Sequence, residues 1–185
     1  MTNTTKTIED TYGEFVESKV KDPQQIADEL GSQPSNCHAV HMAMGVVGEA
    51  IELLIATDLT NTLEELGDLE FYLTGFENLG WVKAWKSYPH SYSFGIVSQH
   101  QIKLNIVEDA GTILDLVKKA TVYQKDINLP AFRDAFRQIH LSMEHMYTGL
   151  NYSREEVLQR NVDKLNKRYV GGYSDKAAQD RADKV

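Results

Sequence analysis

The sequence predicts an all-α fold, a helical bundle, and three observations carry that prediction. Only four prolines occur, at 23, 34, 89 and 130, each where a helix would start or a loop would run. Long stretches repeat their apolar residues at the 3.6 spacing of a helix rather than alternating like strands. Capping patterns stand ahead of several of those stretches.

Taken in order, a first amphipathic segment covers about 6–20, with Ile8, Tyr12, Phe15 and Val16 on one face. A short helix follows Pro23, through Ile26 and Leu30. Ser35 or Asn36 is placed to cap a long helix over about 37–57, and Asn61 or Thr62 to cap another over about 62–79. In the second, Thr62-Leu-Glu-Glu65 has the form of a capping box. Residues 80–95 are aromatic, punctuated by Gly, Pro and Ser, and read as loop. Ile102, Leu104 and Ile106 alternate like a strand, but Val107, Ala110, Ile113, Leu114, Val117 and Ala120 continue as a helix over about 105–124. Pro130 opens a helix over about 130–150, with Phe132, Phe136, Ile139 and Met143 along one face. Ser153-Arg-Glu-Glu156 is a second capping box, starting a helix to about Tyr169 that Gly171-Gly172 ends.

The chain has 185 residues, 42% hydrophobic and 25% charged, which suits one domain over 1–185 with a polar tail from about 174. A net charge of −8 argues against nucleic acid or an anionic membrane as partner. One cysteine, Cys37, excludes an intrachain disulfide and a Cys-based zinc cluster. The N-terminal residues lack an apolar signal core, and no stretch is read as the ~18–20 apolar residues needed to span a bilayer. The expectation is a soluble, cytoplasmic protein.

Within the long helix, residues 39–56 read AVHMAMGVVGEAIELLIA, with His41, Glu49 and Glu52 as the only polar side chains. A helix apolar on nearly every side is expected to be buried on nearly every side. Glu49 and Glu52 lie about 60° apart on one face, beside Met42, Gly45, Val46, Leu53 and Ala56. Two adjacent anions there would repel and lose hydration, so one must protonate or a cation must sit between them. In the next helix Leu66, Leu69, Leu73 and Phe76 form a core stripe, flanked by Glu65 and Asp68, while Glu64 and Glu70 point elsewhere. A short connection makes the helices antiparallel neighbours and gathers Glu49, Glu52, Glu65 and Asp68. Hard divalent cations, Mg²⁺ or Mn²⁺, answer four carboxylates in one small space, and such ions keep positions for water and phosphate.

Written out, the constellation is Glu-x2-Glu-x12-Glu-x2-Asp, set in Gly48-Glu-Ala-Ile-Glu-Leu-Leu54 and Asn61-Thr-Leu-Glu-Glu-Leu-Gly-Asp-Leu-Glu-Phe-Tyr-Leu73. This resembles the MazG-like branch of the all-α nucleoside triphosphate pyrophosphohydrolases, particularly phage-type members. Asn161-Val-Asp-Lys-Leu-Asn-Lys-Arg-Tyr169, Gly172-Tyr-Ser174 and Ala177-Ala-Gln-Asp-Arg181 resemble that family's closing block. The resemblance spans roughly 38–73 and 113–183.

It implies hydrolysis of a (deoxy)nucleoside triphosphate between the α and β phosphates, two or three Mg²⁺ ions, and a homodimer or homotetramer. It makes Glu49, Glu52, Glu65 and Asp68 metal ligands. Lys164 and Arg168 become phosphate clamps, Asn161 sits one turn before Lys164, and Arg181 is a third basic group. Lys118-Lys119, between Asp115 and Tyr123, resemble a further family helix, so that Lys118 faces the triphosphate or is simply a solvated edge. A phage-type member would serve nucleotide-pool control in the host cytoplasm, for instance converting dGTP to dGMP. Gly48 stands where many members have a first glutamate, Ile55-Ala-Thr57 where lysines often follow, and Asp180 where an Asn is usual. The general base is thus Glu49, Glu64 or a metal-bound hydroxide.

His38 and His41, with Cys37, have helical spacing for a zinc pair but no visible fourth ligand, which favours a packed or base-contacting histidine. Trp81, Trp85, Tyr88 and Tyr92 form either a base-stacking wall or lid, or interface or loop packing. A di-iron bundle would need Glu-x-x-His on two helices, and no His here has a Glu three residues before it. A non-catalytic helical interaction protein with a vestigial metal site is the alternative.

Overall fold

A computed structural model describes residues 8–87, 95–170 and 172–180. Among the described residues there are eight α-helices and no strand, so the protein is all-α. The helices are α1 Ile8–Glu17, α2 Pro23–Gly31, α3 Pro34–Ile55, α4 Leu59–Asn78, α5 Gln99–Thr121, α6 Leu129–Leu150, α7 Arg154–Arg168 and α8 Asp175–Asp180, with a 3-10 turn at Trp85–Ser87.

Helix starts follow local chemistry, though not always at the expected residue. α7 begins at the Ser153/Glu156 capping box, and α6 at Asn128 with Pro130 in its first turn. α3 starts earlier than expected because Pro34 takes the first turn, and neither Ser35 nor Asn36 caps it. α4 also starts early. Asp58, not Asn61 or Thr62, is its cap, accepting from the Asn61 N–H at 2.9 Å. The Thr62 hydroxyl instead donates to the Asp58 carbonyl at 2.8 Å, so no capping box forms there and Glu65 is left to another task. The strand-like Ile102 and Ile106 are buried on α5, which Ser98 caps. α7 ends at Tyr169, ahead of the two glycines, and part of the polar tail forms α8.

Three residues separate α3 from α4, which pack as antiparallel neighbours. Two glycines let them approach closely. A Cβ on Gly45 would land in the ring of Tyr72, and one on Gly75 would land on the Met42 sulfur. On its other side α3 packs against α5, and α5 against α6. The buried ammonium of Lys103 donates to the Ala56 carbonyl at 2.8 Å, tying the start of α5 to the end of α3 and making those two antiparallel as well. The core stripe Leu66, Leu69, Leu73 and Phe76 meets Ile106, Ile113, Phe132, Phe136, Ile139 and Met143, all fully buried. Truncating one such Leu or Ile to Ala typically costs about 2–5 kcal/mol.

α3 is not covered on every side. Met44, Ile51 and Ile55 are 63%, 46% and 68% exposed, and Glu52 is exposed beside them. Sequence alone could not say which faces α4 and α5 would cover. By length and composition α3, at 22 residues and mean hydropathy 1.3 in its most apolar window, is long and apolar enough to cross a membrane, contrary to expectation; here it is packed between α4 and α5. The apolar face of α1 also lies open, with Tyr12 and Phe15 more than half exposed.

Candidate metal centre

Glu49 on α3 and Glu65 and Asp68 on α4 each bring a carboxylate oxygen within 4.8 Å of the others. Glu49 faces α4 because it lies one turn after Gly45, on the side where the two helices touch. Glu65 and Asp68 share the shoulder of the Leu66–Leu69 stripe, three residues apart. Glu65 is 6% exposed, and the other two are half-buried.

Crowding and lost water act together on these acids. Burial first, then the charge of Asp68 and a hydrogen bond to Glu65, push the Glu49 carboxyl up to about 8. Burial also raises Glu65, although the hydrogen bond from Glu49 opposes it. Tyr72 is raised as well, by burial and then by the charges of Glu49 and Asp68, so the ring held against Gly45 belongs to the same field.

The three acids open into a cleft of about 650 Å³ whose walls include Glu52, Asn61, Glu64, Arg168 and Tyr169. Glu52 is therefore on the cleft but outside the tight cluster. Glu64, expected to point elsewhere, is on its wall.

α7 supplies the cationic side. Asn161 is buried and its side-chain N–H donates to Asp68 Oδ1 at 2.6 Å. One turn later the Lys164 ammonium contacts Asp68 Oδ2 and reaches Glu64 Oε1 at 3.3 Å. Arg168 reaches the cleft after a further turn, its guanidinium 5.9 Å from the Tyr169 ring centre. Asn161, Lys164 and Arg168 thus line one face of α7 toward the acids.

What fixes α7 in this register is Glu70, fully buried on another face of α4. It accepts two hydrogen bonds from Arg154, Nε to Oε1 at 2.7 Å and Nη2 to Oε2 at 2.6 Å, and one from the Tyr147 hydroxyl at 3.0 Å. Burial alone would raise this carboxyl, but Arg154, together with His140 and the Tyr147 hydroxyl, more than offsets it and holds Glu70 below its ordinary value. Sequence reading missed this clamp; the signal available was a Glu in the middle of a helix whose neighbours Leu69 and Leu73 are core.

Other expected residues lie elsewhere. Lys118 is on the last turn of α5, paired with Asp115 at 3.2 Å, and Lys119 pairs with the same carboxylate at 2.5 Å. Because α5 runs antiparallel to α3 from the Lys103–Ala56 bond, Lys118 is level with about residue 41, roughly 12 Å along the axis from Glu49. It is the solvated helix edge, not part of this cleft. Arg181, Tyr88 and Tyr92 lie outside the described residues. Trp85 is buried, stacked on His140 with ring centres 4.7 Å apart, and Trp81 packs on Phe76 and Phe132, so these two are core and not a base-stacking wall. Cys37, His38 and His41 are exposed; Cys37 donates to the Leu30 carbonyl and His41 packs edge-on to Tyr72.

Comparison with family models, curated proteins and solved structures found no match to this chain.

The donor set fits a hard dication. It consists of carboxylate oxygens only, with no thiolate or imidazole, brought close enough to share one ion. Their raised proton affinity is the sign of a negative field that a cation would relieve.

Proposed function

We propose that the protein hydrolyses a (deoxy)nucleoside triphosphate to the monophosphate and pyrophosphate with Mg²⁺ or Mn²⁺, as a MazG-like pyrophosphohydrolase. The observation that carries this reading is the convergence of Glu49, Glu65 and Asp68 with Arg168 on one cleft, while Asn161 and Lys164 of the same helix face hold Asp68 directly. Anionic ligands for metal face cationic ligands for phosphate, the pairing that phosphoryl chemistry needs and that no nucleophilic Ser or Cys has to supplement.

Glu49, Glu65 and Asp68 would hold a dication, with Glu52 on the same cleft available to a second. When bound, such ions would supply neutralisation of phosphate charge and a water of lowered pKa. Asn161 keeps Asp68 turned toward the cleft. Lys164 and Arg168 take up the charge that develops on the departing pyrophosphate. Glu64, on the cleft wall beside Lys164, is the acid outside the tight cluster best placed to accept a proton from the attacking water.

A second copy of the chain is the partner we propose. Met44, Ile51 and Ile55 repeat at helical spacing along the open side of α3. Gly48 lies among them, and a Cβ there would meet nothing within 4 Å. Such a bare, apolar helix face suits a helix from another copy better than it suits water.

The test is a screen of the eight common NTPs and dNTPs with Mg²⁺, products resolved. The reading expects monophosphate and pyrophosphate in equal amounts from at least one substrate. Release of inorganic phosphate with a nucleoside diphosphate, or no turnover of any substrate, would contradict it.

A further inference from the structure

The residue that most needs explaining is Lys164, because its ammonium already sits where a cation is wanted. It contacts Asp68 Oδ2 and reaches Glu64 Oε1 at 3.3 Å, and its side chain is only 13% exposed. With Asn161 on Oδ1, both oxygens of Asp68 carry a donor. A dication drawing on Asp68, Glu49 and Glu65 must compete for that carboxylate with a positive charge built into the fold.

Space for an exchange lies next door. Glu64 also borders a second cleft of about 340 Å³, whose charged lining is Glu64, Asp163, Arg160, Lys164 and Lys167. Lys164 therefore lines this second cleft while its ammonium is held by Asp68 and Glu64, two carboxylates of the first. Rotation about its flexible stem would carry the ammonium from Asp68 into that cleft, where with Arg160 and Lys167 it makes three cations against the two acids Glu64 and Asp163, a balance that favours an anion.

We propose that Lys164 is the resident counter-cation of the carboxylate cluster, displaced by the incoming dication and thereby released to bind phosphate. The inference rests on the metal-site reading above and adds regulation to it. Metal loading and phosphate binding are one coupled event, and each strengthens the other by the same factor. The cleft thereby holds its charge balanced until both ligands arrive.

The test is a calorimetric titration of the full chain with Mn²⁺ alone, without nucleotide. Lys164→Met removes the competitor and is expected to tighten Mn²⁺ binding about tenfold or more, the scale of a charge-assisted hydrogen bond. Lys167→Met removes the same formal charge without a contact to Asp68 and is expected to change the affinity less than about threefold. Lys164→Arg, which keeps the charge, should bind Mn²⁺ no tighter than the native chain, and its thermal melt together with that of Lys164→Met checks that α7 stays docked. In a second titration with inorganic pyrophosphate, Mn²⁺ should strengthen binding to the native chain and do so less in Lys164→Met.

Equal Mn²⁺ affinity in the native chain and Lys164→Met, or weaker binding in the variant, would overturn the exchange and leave the metal site standing. Equal tightening by Lys164→Met and Lys167→Met would overturn it too, since bulk charge would then account for the effect. Absence of Mn²⁺ binding in the native chain and in every variant would overturn the metal-site reading itself.

Discussion

Arg154 grips Glu70 through two parallel hydrogen bonds of 2.7 and 2.6 Å, about two turns along α7 from Asn161. The pair lies outside the acid cluster, on another face of α4, yet it sets which residues of α7 meet α4. With Arg154 docked, Val157 is buried one turn on, and beyond it Asn161 comes to lie over Gly67 and Lys164 over Asp68. Arg154→Met would leave the fully buried Glu70 charged and without its cation, at a cost of about 3–5 kcal/mol. Denaturant unfolding should show that loss. A double variant with Glu70→Gln should recover part of it, since the stranded charge is then gone.

His140 gives the protein an acid limit that is independent of the cluster. It is wholly buried between Trp85 and Phe136, with neither ring nitrogen hydrogen-bonded, and burial pushes its pKa down to about 4. The unfolded chain takes up the proton near 6.5 and the folded chain does not, so stability falls as the pH drops from about 6.5 toward 4. The shift corresponds to about 3 kcal/mol across that window. His140→Phe should remove this component, visible as a flatter plot of unfolding free energy against pH between 7 and 4.5. An unchanged slope would show that acidic groups elsewhere set the acid limit.

The cluster acts in the opposite direction. Glu49, raised to about 8, keeps in the folded state a proton that the unfolded chain loses near 4.5. Folding therefore takes up a proton between those values, and the metal-free protein should become less stable as the pH rises through that range. Saturating Mg²⁺ should reverse the trend, because the ion supplies the positive charge the proton otherwise provides. Thermal melts at pH 6 and pH 8.5, with and without Mg²⁺, check both signs.

Glu52 and Asp68 should differ in how they affect metal binding. Asp68 is within the tight cluster, whereas Glu52 is exposed on the cleft wall. Asp68→Asn should abolish Mn²⁺ binding and pyrophosphate release. Glu52→Ala should remove one ion from the stoichiometry and leave the other bound. Counting bound Mn²⁺ by paramagnetic resonance distinguishes the two variants.

How much of this was legible in the sequence depended on how local the cause was. α6 and α7 are set by Asn128, Pro130 and the Ser153/Glu156 box, all within one turn of the helix start, and their beginnings could be read directly. The start of α4 was misread because Asp58 lies upstream of the apolar pattern that drew attention to Asn61 and Thr62. The acidic residues were readable as a set, since apolar neighbours made Glu49 and Glu52 anomalous and the next helix offered Glu65 and Asp68 to match them. Their partition was not. That Glu52 lies on the open side of α3, and that Glu64 and Glu70 both face α7 residues, depends on which helix covers which face. The pairing of Lys118 with Asp115 is equally a matter of how α5 is turned.

The most direct measurement is an anomalous difference map from crystals soaked in Mn²⁺. The account predicts a peak about 2.2 Å from oxygens of Glu49, Glu65 and Asp68, with the Lys164 ammonium withdrawn from Asp68. Saturating Mn²⁺ with no peak among those three carboxylates, and Lys164 still seated on Asp68, would contradict it.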